Sequence, residues 1–299
     1  MSMRDAACAA IVDRFRDDER AALVLADISL DRLEPAFRHD PRRVVNVGIM
    51  EQTAVGVAAG FALEGFCPIV HTLAPFLVER PFEQLKLGFG YHRQEGLFVS
   101  AGASYDYSES GPTHQTPGDV AALATIPEME AIVPGTAREA ADAVRRSHGN
   151  GRATYVRTSV SENSAERELA PGGLTKIRTG AELTVVAVGP MLDRTLAALE
   201  GIDATVLYAT TVLPLDAATL AAEAAPATEV LVVEPFAEGT LAAQVAAALS
   251  HRPIRLVSHG VPREVFSRYG TVEEHDRAHG LDARGIRERA LELLAGRAS

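Results

Sequence analysis

Between residues 1 and 160, short β-rich apolar runs alternate with longer segments whose apolar positions recur at helical spacing. The runs are AALVLAD, CPIVHTL, GLFVSAG, EAIVP and ATYVR. This alternation predicts an α/β layer with a mainly parallel sheet. The stretch TSVSENSAERELAPGGLTKIRTG is polar, has no apolar period and holds Pro171, Gly172 and Gly173. It predicts a linker over 161–180, which separates a first domain at 1–160 from a second at 181–299. In the second, ELTVVAVG, ATVLYAT, EVLVVEP and RPIRLVS predict four more strands, and LDAATLAAEAA and GTLAAQVAAALS predict helices between them. GIRERALELLAG closes the chain as an amphipathic helix. The expected fold class is α/β, as two three-layer α/β domains with mainly parallel sheets.

The length of 299 residues suits two domains, each with its own core. Abundant small residues and only 5% aromatics favour closely packed helices over an all-β core. A formal net charge of -11 without any basic stripe argues against nucleic acid or an anionic membrane as partner. Cys8 and Cys67 stand far apart with no metal-ligand spacing, so neither a disulfide framework nor a zinc site is indicated. The N-terminal stretch MSMRDAACAAIVDRFRDDER has charges on both sides of its apolar run, as a surface helix does and a secretory signal does not. AVGVAAGFAL, the longest apolar stretch, is too short to span a bilayer. The expected location is cytoplasmic.

Chemistry is suggested at four places. NVGIMEQTAVG sets Glu51 at the start of a helix running to about residue 63, among Gly48, Gly56 and Gly60. An acid there complements the helix dipole. Beside a face open to close backbone approach, it would also need a partner to accept its charge. Spacing leaves both readings open. In SESGPTHQTPGD, Thr116 as cap with Pro117 and Asp119 predicts a helix start, which leaves His114 in the loop just before it. Such loops, at the C-terminal ends of parallel strands, are where α/β proteins place ligands. In TLAPFLVERPFEQL, Phe76, Arg80 and Gln84 recur every four residues, and Arg80 reads as a solvated face. Arg157 ends the last strand of the first domain and either meets water or holds an anion.

In their order and separations, NVGIMEQTAVGVAAGFALEG, HTLAPFLVERPFEQLK and GPTHQTPGDVAALATIPEMEAIVP resemble the pyrimidine-binding domain of transketolases and deoxyxylulose-phosphate synthases. TTVLPLD, VVEPFAEGTLAAQVAAAL, HGVPREVFSRYG and HGLDARGI are similar to the C-terminal domain of the same families. The resemblance implies a thiamine-diphosphate enzyme that transfers a two-carbon ketol unit. Glu51 matches the glutamate that hydrogen-bonds N1′ of the cofactor's aminopyrimidine. Phe76 matches the aromatic residue stacked on that ring, and His114 the histidine facing substrate oxygens. Leu73 and Glu79 stand where two further aromatic residues surround the ring, with Arg80 beside them. Arg157 and Arg4 match arginines that bind the sugar phosphate, and Asp27 an acid near the cofactor.

Transketolases carry a separate N-terminal domain whose GDG motif and downstream Asn hold the diphosphate through Mg²⁺, and no GDG occurs in this chain. The resemblance therefore implies the C-terminal subunit of a split transketolase, with the metal site on an N-terminal partner subunit and an α2β2 assembly. Two departures bear on substrate. Ser110 replaces the Asp that recognises a donor hydroxyl, and Gly102 replaces a second substrate histidine. They imply an unusual donor or acceptor. A deoxyxylulose-phosphate-synthase-like or 2-oxoacid-decarboxylating acyloin transferase, and a non-catalytic regulatory subunit, are the competing expectations.

Overall fold

The computed structural model describes residues 1–296. Twelve strands alternate with helices: β1 Ala21–Leu25, β2 Val44–Asn46, β3 Cys67–Leu73, β4 Gly96–Ala101, β5 Glu130–Ile132, β6 Ala153–Val156, β7 Leu174–Arg178, β8 Leu183–Val188, β9 Ala204–Ala209, β10 Thr211–Leu213, β11 Glu229–Ala237 and β12 Arg255–Val261. They form a seven-stranded sheet, β10-β5-β6-β4-β3-β1-β2, and a five-stranded sheet, β12-β11-β8-β9-β7. Only β10 in the first and β7 in the second run antiparallel to their neighbours.

β1, β3 and β4 are buried along their whole length, because a parallel sheet with helices on both sides hides both faces of its central strands. Alternate residues serve opposite layers. Leu23, Ile69 and Leu97 pack with the helices Met3–Asp17 and Ala137–Ser147. Val24, Val70 and Phe98 pack with the helix Glu51–Leu63. That second cluster continues through Tyr155 into Val186, Leu207 and Phe236 of the other sheet, so one core joins the two halves.

Three details depart from the expected elements. Residues 174–178, inside the stretch read as a linker, form the edge strand β7. β10 belongs by sequence to the second half yet completes the first sheet on the free edge of β5. The helix expected to start at Thr116 starts at Asp119, with Gly118 before it and no side-chain cap; the Thr116 hydroxyl is turned to Glu79, donating to Oε1 at 2.6 Å. Among the described residues no helix is long and apolar enough to cross a membrane.

Candidate active site

Glu51 occupies the first turn of its helix, behind Met50, which offers no side-chain cap. The unpaired N–H groups and dipole of that helix end favour a negative charge. The residue is only 1% exposed. Its charge is met by Arg80, whose Nη1 donates to Oε2 at 2.6 Å. Arg80 is therefore no simple solvated face. The four-residue spacing of Phe76, Arg80 and Gln84 does not run along one helix either, since Ala74–Leu77 and Phe82–Leu85 are separate single turns and Arg80 lies in the bend between them. Its guanidinium lies over the Phe76 ring at 4.1 Å. The His114 ring meets the same phenyl edge-on, centroids 5.2 Å apart, and its Nδ1 is 2.9 Å from Thr113 Oγ1. Glu51, Phe76, Arg80 and His114, far apart in the sequence, thus meet at one rim. Beside His114, the buried Gln115 leaves both amide atoms without a partner.

The surroundings are polar on one side. The exposed Asp27, held at φ 55, accepts from Asn46 Nδ2 at 2.7 Å, and Asn46 Oδ1 in turn accepts from the N–H groups of Asp27 and Gly48. Leu73 is buried at the end of β3. Glu79 is largely exposed, but desolvation of its carboxyl, reinforced by Asp119, raises its pKa against the pull of the Thr116 hydroxyl. Gly56 and Gly60 are exposed and have no atom within 4 Å of the place a Cβ would take. Among the described residues, nothing packs against the helix at these two glycines.

Arg4 is positioned by a relay through the core. A carbonyl only accepts, so the 2.8 Å contact between His71 Nδ1 and Val99 O fixes the proton on Nδ1. Nε2 then accepts from the Ser29 hydroxyl at 2.8 Å, and Ser29 Oγ accepts from Arg4 Nε at 3.0 Å. Complete burial of His71 lowers its pKa to about 4.

Arg157 is enclosed by protein groups. It is 1% exposed; its Nε donates to Asp119 Oδ2 at 2.7 Å and its Nη2 to Ser104 Oγ at 2.7 Å. Asp119 also accepts from the Tyr155 hydroxyl at 2.8 Å, and the Ser104 hydroxyl in turn donates to Pro235 O across the domain boundary. A guanidinium so enclosed is held by protein groups, and through Ser104 it links the two halves. Gly102 adopts φ 74, and a Cβ there would stand 2.5 Å from the Tyr107 ring. Tyr107 thus fills the room a side chain at 102 would need. Ser110 is exposed in the turn Ser108–Ser110. The second half grips this loop at several points: Tyr105 donates to Asp276 at 2.6 Å, Ser108 to Gly270 O at 2.6 Å, and Ala237 N–H to Pro117 O at 2.7 Å.

The family model for the transketolase pyrimidine binding domain matches residues 1–164, and that for the transketolase C-terminal domain matches 172–286. The chain belongs to the transketolase family. It is 46% identical, over 90% of its length and 87% of the relative's, to an uncharacterized 33.6 kDa protein in the fasciation locus of Rhodococcoides fascians. It is 29% identical to one subunit of the apulose-4-phosphate transketolase of Phocaeicola vulgatus, over 93% of this chain and 89% of that one. A split gene transketolase, solved as an inactive β4 tetramer, superposes with a TM-score of 0.85 at 27% identity and covers 99% of this chain and 98% of its own. This transketolase chain is thus of the C-terminal subunit type of a split enzyme.

Dependence on thiamine diphosphate goes with the family, and the transketolase site fits that group. Its acid is buried and countered by a part-exposed arginine, its aromatic face is covered by the same side chain, and Gln115 holds unpaired polar atoms alongside. Sequence reasoning singled out Glu51, Phe76 and His114, which the structure brings together. It missed the Glu51–Arg80 pair, the Asn46 clamp on Asp27 and the Tyr107 ring over Gly102, because each arises from turns that carry no periodic signal. For Asn46, its polar side chain within the apolar run VVNV was the one available cue.

Proposed function

We propose that this chain is the C-terminal half of a two-chain transketolase-like enzyme that moves a two-carbon ketol unit from a phosphorylated ketose to an aldehyde. The observation that carries the reading is the convergence of the buried Glu51 with Phe76 and His114 on one rim. Glu51 would hold a proton at N1′ of the aminopyrimidine, Phe76 would support the ring's face, and Asp27 would flank it. Bound thiamine diphosphate supplies a carbon nucleophile and an electron sink. His114, with Nδ1 beside Thr113, has Nε2 free to exchange a proton with a substrate oxygen. Arg4, aimed by Ser29 and His71, would meet the sugar's anionic group.

The diphosphate and its Mg²⁺ fall to an N-terminal partner subunit in an α2β2 particle working in the cytoplasm. Relatives that are named as single subunits of a transketolase, and that match this chain nearly end to end, support a partner. Ser110 and Gly102 point to a donor other than xylulose 5-phosphate. Relatives named for apulose 4-phosphate and for 6-deoxy-6-sulfo-D-fructose support an unusual sugar.

Glu51→Gln, assayed in the reconstituted two-chain enzyme with ketose donors and with pyruvate, tests the reading. A fall in kcat of about 10²-fold or more is expected, with ketoses preferred. An unchanged rate would mean a regulatory subunit, and preference for pyruvate a decarboxylating acyloin transferase.

A further inference from the structure

A buried carboxylate is costly unless something accepts its charge, and for Glu51 that partner is a side chain which enters from outside. Arg80 sits in the exposed bend between two single-turn helices, and its side chain is 37% exposed. It places Nη1 2.6 Å from Glu51 Oε2 while its guanidinium covers Phe76 at 4.1 Å. Acid and aromatic face therefore converge on one planar cation. Rotation about its own side-chain bonds withdraws that head group, whereas Glu51 is fixed in a helix against the core. A guanidinium is planar, delocalised, rich in N–H donors and stacks on aromatic rings. An aminopyrimidine is likewise planar and delocalised, stacks on aromatic rings and carries an amino N–H donor.

We infer that Arg80 is a placeholder: its guanidinium fills the cleft between Glu51 and Phe76, and the cofactor's aminopyrimidine must displace it to bind. This rests on the cofactor reading above and adds a competition internal to the chain. While Arg80 is seated, Glu51 is neutralised and the buried acid is tolerated. The cofactor's apparent affinity is lowered by the fraction of chains in that form. Removing Arg80 removes the competitor.

The test is calorimetric titration of thiamine diphosphate, at saturating Mg²⁺, into the enzyme assembled with its diphosphate-binding subunit, using wild type, Arg80→Gln and Arg80→Lys. Arg80→Gln is expected to bind about tenfold tighter if the seated form makes up about nine-tenths of wild-type molecules. Arg80→Lys should fall between, since lysine keeps a charge for Glu51 but has no planar face. In the chain alone, Arg80→Gln should lower the melting temperature, and adding Glu51→Gln should restore part of the loss because the two side chains act as one pair. Equal or weaker cofactor binding by Arg80→Gln overturns the placeholder and leaves the cofactor reading standing. Should that variant not fold, Arg80→Lys decides in the same way. No binding by any of the three proteins overturns the cofactor reading and the placeholder together.

Discussion

Replacing Arg157 with Met separates a structural arginine from a substrate-binding one. Methionine keeps most of the apolar stem and removes the guanidinium. Asp119, itself fully buried, then keeps only the Tyr155 hydroxyl at 2.8 Å and the Val120 N–H at 2.9 Å, and Ser104 loses its donor. Removing one member of a buried ion pair costs about 3–5 kcal/mol, chiefly because the other charge is left uncompensated. For a chain of this size that is a fall of about 5–8 °C in melting temperature. Urea titration of the isolated chain measures the loss, which should shift the midpoint at unchanged slope. Adding Asp119→Asn should recover part of it by removing the stranded charge. The reasoning is refuted if Arg157→Met stays within about 1 kcal/mol of wild type while the assembled enzyme's KM for a phosphorylated sugar rises about tenfold. That outcome would return Arg157 to the substrate.

Gly102→Ala should cost about 2–3 kcal/mol in urea denaturation, since φ 74 and the 2.5 Å approach to Tyr107 both oppose a Cβ; in a Tyr107→Ala background the cost should shrink, and full additivity would contradict the overlap. His71 gives a pH signature. Its folded pKa, near 4, lies below the unfolded 6.5, so between those values the unfolded chain binds the extra proton. Its contribution, about 3 kcal/mol, is complete above pH 6.5 and is lost as pH falls towards 4. Comparing the urea-derived stability of wild type and His71→Asn across that window checks it, and parallel curves would show that His71 is not the group responsible.

The layers of this fold are legible where burial is regular. CPIVHTL is β3 without a shift of boundary, and the helix after Met50 ends at Leu63 as its apolar spacing predicts. What stayed hidden depends on tertiary choice. β2 is three residues long, too short for a period, and β10 is a three-residue run whose partner strand lies in the other half of the sequence. Thr116 followed by Pro117 carries a proper cap signal, but its hydroxyl is turned to a carboxylate 37 residues earlier and the helix starts three residues later. The site was legible through matched motifs, and its electrostatics were not. Nothing in the spacing of Glu51 and Arg80 says that they touch, or that Arg157 is enclosed while Arg80 stays part-exposed.

The strand exchange at β10 means that residues 1–160 are not a module. Cut in the polar stretch that follows, the first half would keep its acid and its histidine yet bare the rim of β5, a ready template for pairing with another chain. It would also release the loop around Gly111 from the anchors at Pro235, Gly270 and Asp276. Fragments made at that boundary should therefore clump instead of working as smaller enzymes, and anyone dividing this polypeptide for engineering must carry 211–213 along with the first sheet.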